Sequence, residues 1–268
     1  MHDFGIENLS CFGLDPASLI RLGAELGCGH VSLNLSGAAN PPDGVKLAGL
    51  RDEPDLRRAA VAALRETGVR VSLLEGFTIA PGITAGELAS DLAIAAELGA
   101  RAICAVNMDR DRPRAFAEIA ALSEMAADRG IIVTTEFGAG TARNLERVQE
   151  MLAVVGHANF GLVIDTMHYF RLGAGVADLD VLGIGTVRHI QLCDVPMPAK
   201  FDDYMEEALF ERRAPGDGDL PLATFLGKIP QAVPVGLEIP IRSQAQAGMD
   251  HRQRMGRCLE LARCLEPC

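Results

Sequence analysis

The chain has no tryptophan and only 2 tyrosines, so the core it buries must be built from aliphatic side chains. No apolar stretch approaches the ~20 residues needed to cross a bilayer, and no basic segment precedes an apolar one at the start. Membrane association is therefore not expected, and a cytoplasmic location is. Basic runs are also missing, and the formal net charge is -11. Such a field repels phosphate backbones, so nucleic acid is not an expected partner. The 7 cysteines are odd in number and include no C-x-x-C pair, which reads as reduced thiols rather than a disulfide or zinc framework. No G-x-G-x-x-G follows the first candidate strand, so a dinucleotide-binding open sheet lacks its phosphate turn.

What is present is a repeated joint, in which a helical stretch ends at glycine and a β-rich run begins soon after. It occurs at Leu26-Gly27, Thr67-Gly68, Leu98-Gly99, Arg129-Gly130 and Val155-Gly156. Glycine suits these places because the residue after a helix often turns left-handed. The runs that follow are 30–35, 69–75, 101–107, 131–137 and 160–166; two more lie at 188–194 and 233–240, and a weaker first strand near 4–12. Helix starts agree with this division: Asp15 before Pro16, Thr84 with Glu87 at capping-box spacing, and Thr141 before a helix from Ala142.

Eight nearly continuous apolar strands alternating with helices predict a parallel sheet covered by helices. At 268 residues without an internal linker, that is a single α/β domain over 1–268, a (β/α)8 TIM barrel. A doubly wound sheet is the alternative. The stretch 195–219, rich in proline, glycine and charge, is the longest irregular region, and a loop of that length is usually functional or disordered.

Barrel chemistry sits at the carboxyl ends of the strands. There the second half of the chain offers Glu136, Asp165, Gln191 and Glu238 on four consecutive strands. Side-chain alternation turns three of them inward: Ile190 and Leu192 bracket Gln191, Leu237 and Ile239 bracket Glu238, and Leu162 and Ile164 set the register of Asp165. Strand five is less decisive, because Thr135 shares the outer face with Val133. A lone Glu at a strand end is ordinarily solvated or paired with an Arg. Three carboxylates in one barrel mouth instead repel one another and require a cation. Carboxylate and amide oxygens are hard ligands, which favours Mn2+ or Mg2+ and leaves Zn2+ or Co2+ open. His189 is the rival to Gln191, although deeper. Glu75 and Asn107 end strands three and four and are candidate substrate-lining residues, as is His168 just past strand six.

These residues fall in the segments TTEFG (134–138), GLVIDTMHYF (161–170), RHIQLCDVP (188–196), PGDGDLPL (215–222) and VGLEIP (235–240). Together they resemble the xylose-isomerase-like sugar phosphate isomerase/epimerase superfamily, which includes hydroxypyruvate isomerases, ketose 3-epimerases and inosose dehydratases. The resemblance implies that Glu136, Asp165, Gln191 and Glu238 hold a divalent metal, with Gln191 preferred over His189 by the H-x-Q order. It further implies that Glu136 and Glu238 exchange protons with substrate and that His168 touches substrate oxygens. The epimerases also use an Arg beyond strand seven; Asp194-Val195-Pro196 has none, so Arg212 or Arg213 is the substitute, and Arg213 is the expected substrate contact.

The implied activity is a metal-dependent isomerase or epimerase acting on a small sugar or polyhydroxy ketone through an ene-diolate, a step in carbohydrate metabolism. The alternative is a lyase that expels a β-hydroxyl from the same ene-diolate, as inosose and dehydroshikimate dehydratases do. An abasic-site endonuclease is opposed by the negative charge and the 6 histidines. The expected partners are a small sugar-like substrate and, at most, further copies of the chain in a homo-oligomer.

Overall fold

The computed structural model describes residues 1–11, 13–37 and 49–266. Phe12 in the expected first strand and the thiol Cys268 lie outside them. The eight strands are β1 (Phe4–Ile6), β2 (His30–Asn34), β3 (Arg70–Ile79), β4 (Ala102–Asn107), β5 (Ile132–Glu136), β6 (Phe160–Asp165), β7 (Val187–Leu192) and β8 (Val235–Leu237). All neighbours are parallel, in chain order, and β8 closes on β1 through Phe4↔Val235, Gly5↔Gly236 and Ile6↔Leu237. Closure excludes the open doubly wound sheet and makes the chain a (β/α)8 barrel.

The five glycines expected at helix ends all take positive φ, between 57° and 73°. At Gly68 and Gly156 the glycine N–H closes the preceding helix onto Leu64 and Leu152. Asp15 caps the helix Pro16–Glu25 through the Ser18 N–H at 3.0 Å, and Thr84 with Glu87 forms the capping box. Thr141 does not cap a helix. The cap is Asn144, before Leu145–Val155, and the Thr141 hydroxyl instead accepts from Asn107 Nδ2 at 2.7 Å. Among the described residues no helix is long and apolar enough to cross a membrane.

Three strands differ most in length from their sequence pattern, and of these β8 keeps only Val235–Leu237 of the expected 233–240. β1 stops at Ile6, because Glu7 opens a short 3-10 turn, Asn8–Ser10. β3 runs four residues past Glu75 to Ile79, with a bulge between Leu74 and Phe77 where Gly76 has φ +99°. The large aliphatic core lies between the sheet and its helices. Leu73, Ala102, Cys104 and Val163 form a second, smaller cluster inside the barrel, with Ile132 against it. The two-residue period of each strand then places a polar layer directly above this apolar floor: Glu75 above Leu73, Glu136 above Thr134 and Ile132, Asp165 above Val163. Val133 joins the outer core, so Glu136 faces inward and the ambiguity at strand five is resolved.

Candidate active site at the carboxyl ends of the strands

Register brings the second-half residues together, with Asp165 opposite Gln191 and Gln191 opposite Gly236. Two clusters of ligating atoms result, each lying within 4.8 Å: Glu136, Asp165 and His168 on one side, and Glu7, Glu75 and Glu238 on the other. The Gln191 amide bridges toward the second. Its Nε2 donates to Glu238 Oε1 at 3.0 Å, Glu75 Oε1 at 3.1 Å and Glu7 Oε2 at 3.4 Å. An ionised carboxylate only accepts, and this amide turns its nitrogen toward the three. The amide oxygen is left buried and without a partner. A buried amide oxygen without a partner, in a mouth lined by carboxyl groups, is a donor that a hard divalent cation satisfies.

His189 is engaged differently. Its Nε2 lies 2.8 Å from Glu7 Oε1, below the polar layer, so the geometry agrees with Gln191 rather than His189 facing the mouth. Glu7 is hidden in the sequence pattern, which extends the first strand to residue 12 and mixes polar with apolar positions there. Alternation from Gly5 would have placed it inward. Its space is provided by Gly236 on the neighbouring strand, where a Cβ would come within 1.5 Å of Glu7 Oε1.

Positive charge in the mouth comes from Arg212, not from the expected Arg213. Arg213 is exposed and pairs its backbone with Asp194, at 2.8 and 3.0 Å. Arg212, its neighbour, is buried; its Nη1 contacts Asp165 Oδ2 and lies 2.9 Å from Glu238 Oε2, while its Nε donates to Ala208 O at 2.7 Å. Alternating direction along an extended segment sends one of two adjacent arginines in and the other out, and only the pairing with Asp194 decides which. The loop that carries them is held by the Asp194 carboxylate, which accepts from the N–H groups of Val195, Gly216 and Leu220. Its helix Tyr204–Phe210 is clamped by a buried pair, Glu207 with Arg171, at 2.8 and 3.0 Å. The stretch 195–219 is thus an ordered wall of the site.

His168 sits in the first turn of the helix Thr166–Arg171, whose N-cap is Asp165. Its Nε2 is 3.4 Å from Glu136 Oε1, its Nδ1 contacts the Tyr204 hydroxyl, and the two rings stack with centroids 5.6 Å apart. Tyr204 had no signal in the sequence, since nothing local shows that the loop folds back over strand six. Asn107 is buried and engaged by its neighbours: its Nδ2 donates to Thr141, and its Oδ1 accepts from the Asp109 N–H at 2.9 Å.

Electrostatics divide the carboxylates. Burial, with the charges of Asp165 and Glu75 added, raises Glu136 to about 8. Burial and the Glu7 charge raise Glu75 to about 7. Burial also pushes Glu238 well up, against the pull of Arg212. At Asp165 the same burial is outweighed by Arg212 and His168, which hold it below the usual carboxylate range. At Glu7 it is outweighed by His189, and the pKa is lowered. One guanidinium therefore does not neutralise the mouth.

No curated protein matches the chain. Its fold matches that of many solved structures, three of which serve as examples. One is an IOLI protein solved with a bound zinc atom, at 14% identity over 98% of this chain and 96% of that one, TM-score 0.73. Another is D-psicose 3-epimerase with D-tagatose from Clostridium cellulolyticum H10, at 13% identity over 99% and 100%, TM-score 0.72. The third is a xylose isomerase-like TIM barrel/4-hydroxyphenylpyruvate dioxygenase fusion protein, at 20% identity and TM-score 0.73; the match covers 97% of this chain and 42% of the fusion's length. At these identities the likeness establishes the fold. Family membership comes from the sequence, which matches the xylose isomerase-like TIM barrel family over residues 20–257. The chain belongs to the xylose isomerase-like TIM barrel family.

Proposed function

We propose that this chain is a metal-dependent isomerase or epimerase of a small sugar or polyhydroxy ketone. The observation that carries the reading is the pair Glu136 and Glu238. Both are inward-facing carboxyls with raised pKa, on β5 and just after β8, three strands apart in a ring of eight. A substrate held between them presents one face to each. A carboxyl whose pKa is raised above the usual carboxylate range holds a proton more readily than an ordinary one, the property required of a general base that becomes a general acid.

Glu136, Asp165, Gln191 and Glu238 would hold the cation, with the unpartnered Gln191 oxygen as its amide ligand. Mn2+ or Mg2+ fits this oxygen set best. Bound there, the cation polarises a carbonyl and its neighbouring hydroxyl and so lowers the barrier to removing the α-proton. One Glu takes that proton from the substrate carbon, leaving an ene-diolate, and the other protonates the opposite face or the adjacent carbon. His168, backed by the Tyr204 hydroxyl, is placed to donate to a substrate oxygen beside Glu136. Arg212, not Arg213, is the cation available to the growing enolate charge, and Glu75 lines the wall beyond Gln191.

The test is solvent-deuterium incorporation into ketoses, inososes and hydroxypyruvate-like acids, followed by mass spectrometry on protein of known metal content. Glu136→Gln and Glu238→Gln should each lower turnover by roughly 10²–10⁴-fold and abolish exchange. Undiminished exchange in either variant would overturn its proton-transfer role. A product lighter by one water would move the assignment to a lyase on the same scaffold.

A further inference from the structure

Among the loops that follow β4 and β5, a cavity of about 480 Å³ lies against the helices Arg112–Ala127 and Leu145–Val155 and shares none of its lining with the carboxylate cluster. Four arginines line it: Arg110, Arg112, Arg143 and Arg147. Its apolar part is Met108, Phe116 and Met151, and no carboxylate is in the lining. Gathering four guanidinium groups is unusual in a chain with a net charge of -11. Glu150 answers two of them, pairing with Arg112 and, at 3.2 Å, with Arg147. Arg110 and Arg143 have no carboxylate partner among the described residues; Arg143 Nε donates only to the Gly140 carbonyl, at 2.7 Å. Arg112 Nε is buried with no hydrogen-bond partner among them.

Two exposed guanidiniums free of carboxylates and a third with an unused buried N–H favour negative charge at this place, beside the first turns of two helices of 16 and 11 residues that Asp111 and Asn144 cap. Guanidinium forks match phosphate oxygens bidentately. The volume exceeds what a bare phosphate fills, and it falls within the range of small-molecule pockets. The surplus is bounded by Phe116 and Met151, which are 6% and 1% exposed and offer an apolar face.

We propose that this cavity binds a small phosphate monoester, its phosphate held by Arg110 and Arg143 and its organic part against Met108, Phe116 and Met151. None of these residues belongs to the carboxylate cluster in the barrel mouth, so the assignment stands or falls independently of the proposed isomerase chemistry.

Titration calorimetry on metal-stripped full-length protein at low salt, with phenyl phosphate and with inorganic phosphate, tests it. One saturable site is expected, with phenyl phosphate binding at least about fivefold tighter because of the apolar wall. Arg110→Ala and Arg143→Ala should each weaken phenyl phosphate by about tenfold or more. Arg252→Ala, whose partner Glu25 lies elsewhere, should leave binding unchanged. Both cavity arginines are exposed, and the unfolding midpoint of each variant checks that the fold is kept. Absence of saturable binding, affinities unchanged in both variants, or equal affinity for the ester and free phosphate would overturn the proposal.

Discussion

Arg212 reaches Asp165 and Glu238 with the same nitrogen, Nη1, which contacts Asp165 Oδ2 and stands 2.9 Å from Glu238 Oε2. A single buried nitrogen, with its two N–H groups, thus joins two of the four proposed ligands. Removing one partner from a buried charged network costs about 3–5 kcal/mol, because the remaining charges stay desolvated. Arg212→Met should destabilise the metal-free protein by about that amount in urea titrations. Saturating Mn2+ should recover part of the loss, since the cation restores positive charge between the same two carboxylates. An identical loss with and without Mn2+ would separate the guanidinium from the metal site.

The raised carboxyls predict a pH dependence whose sign follows from linkage. Glu75 and Glu136 titrate at about 7 and about 8 in the folded chain, against an ordinary 4.5. Between the ordinary value and those folded values the native state binds more protons than the unfolded one, so metal-free stability falls as pH rises through that window. Asp165 and Glu7, whose pKa values are lowered, act in the opposite sense and only in acid, below their ordinary 3.8 and 4.5. His30, His168 and His251, lowered by burial below their ordinary 6.5, act against this trend below that pH, so the urea midpoint of metal-stripped protein should decline from about pH 6.5 to pH 8. Metal-saturated protein should not show the decline, because the cation binds the ionised carboxylates. A flat metal-free profile would contradict the assigned burial.

Gly236 and Glu7 are predicted to be coupled. A methyl group at Gly236 would occupy the position of Glu7 Oε1, and Glu7 in turn braces His189 and Gln191. Gly236→Ala should cost roughly 1–3 kcal/mol through overpacking. In a Glu7→Ala background the same change should cost much less, and a double-mutant cycle in urea reads the difference. Additive effects would mean that the two residues do not compete for space.

Tyr204→Phe removes the hydroxyl against His168 Nδ1 while keeping the stacked ring. Once a substrate is identified, kcat/KM should fall about tenfold, with little change in the unfolding midpoint, because the phenol orients a ring rather than holding the fold. A shift in the midpoint with kcat/KM intact would assign Tyr204 to the loop alone.

The eight alternating units, the glycine helix ends and the inward set Asp165, Gln191 and Glu238 were legible in the sequence. Each depends on local periodicity or on a backbone conformation that few residues tolerate. Glu136 needed the barrel interior, where Ile132 packs inside and Val133 outside, because the alternation around Thr135 did not discriminate. Glu7, Tyr204 and the choice of Arg212 over Arg213 were decided only by tertiary structure. Glu7 depends on β1 closing against β8, Tyr204 on a loop folding back over β6, and Arg212 on an antiparallel pairing of Arg213 with Asp194. Local pattern thus specified which strands end in polar groups. The identity of the arginine that pairs with two of them was set by contacts between residues 47 and 26 positions apart, Arg212 with Asp165 and Glu238, which no periodicity encodes.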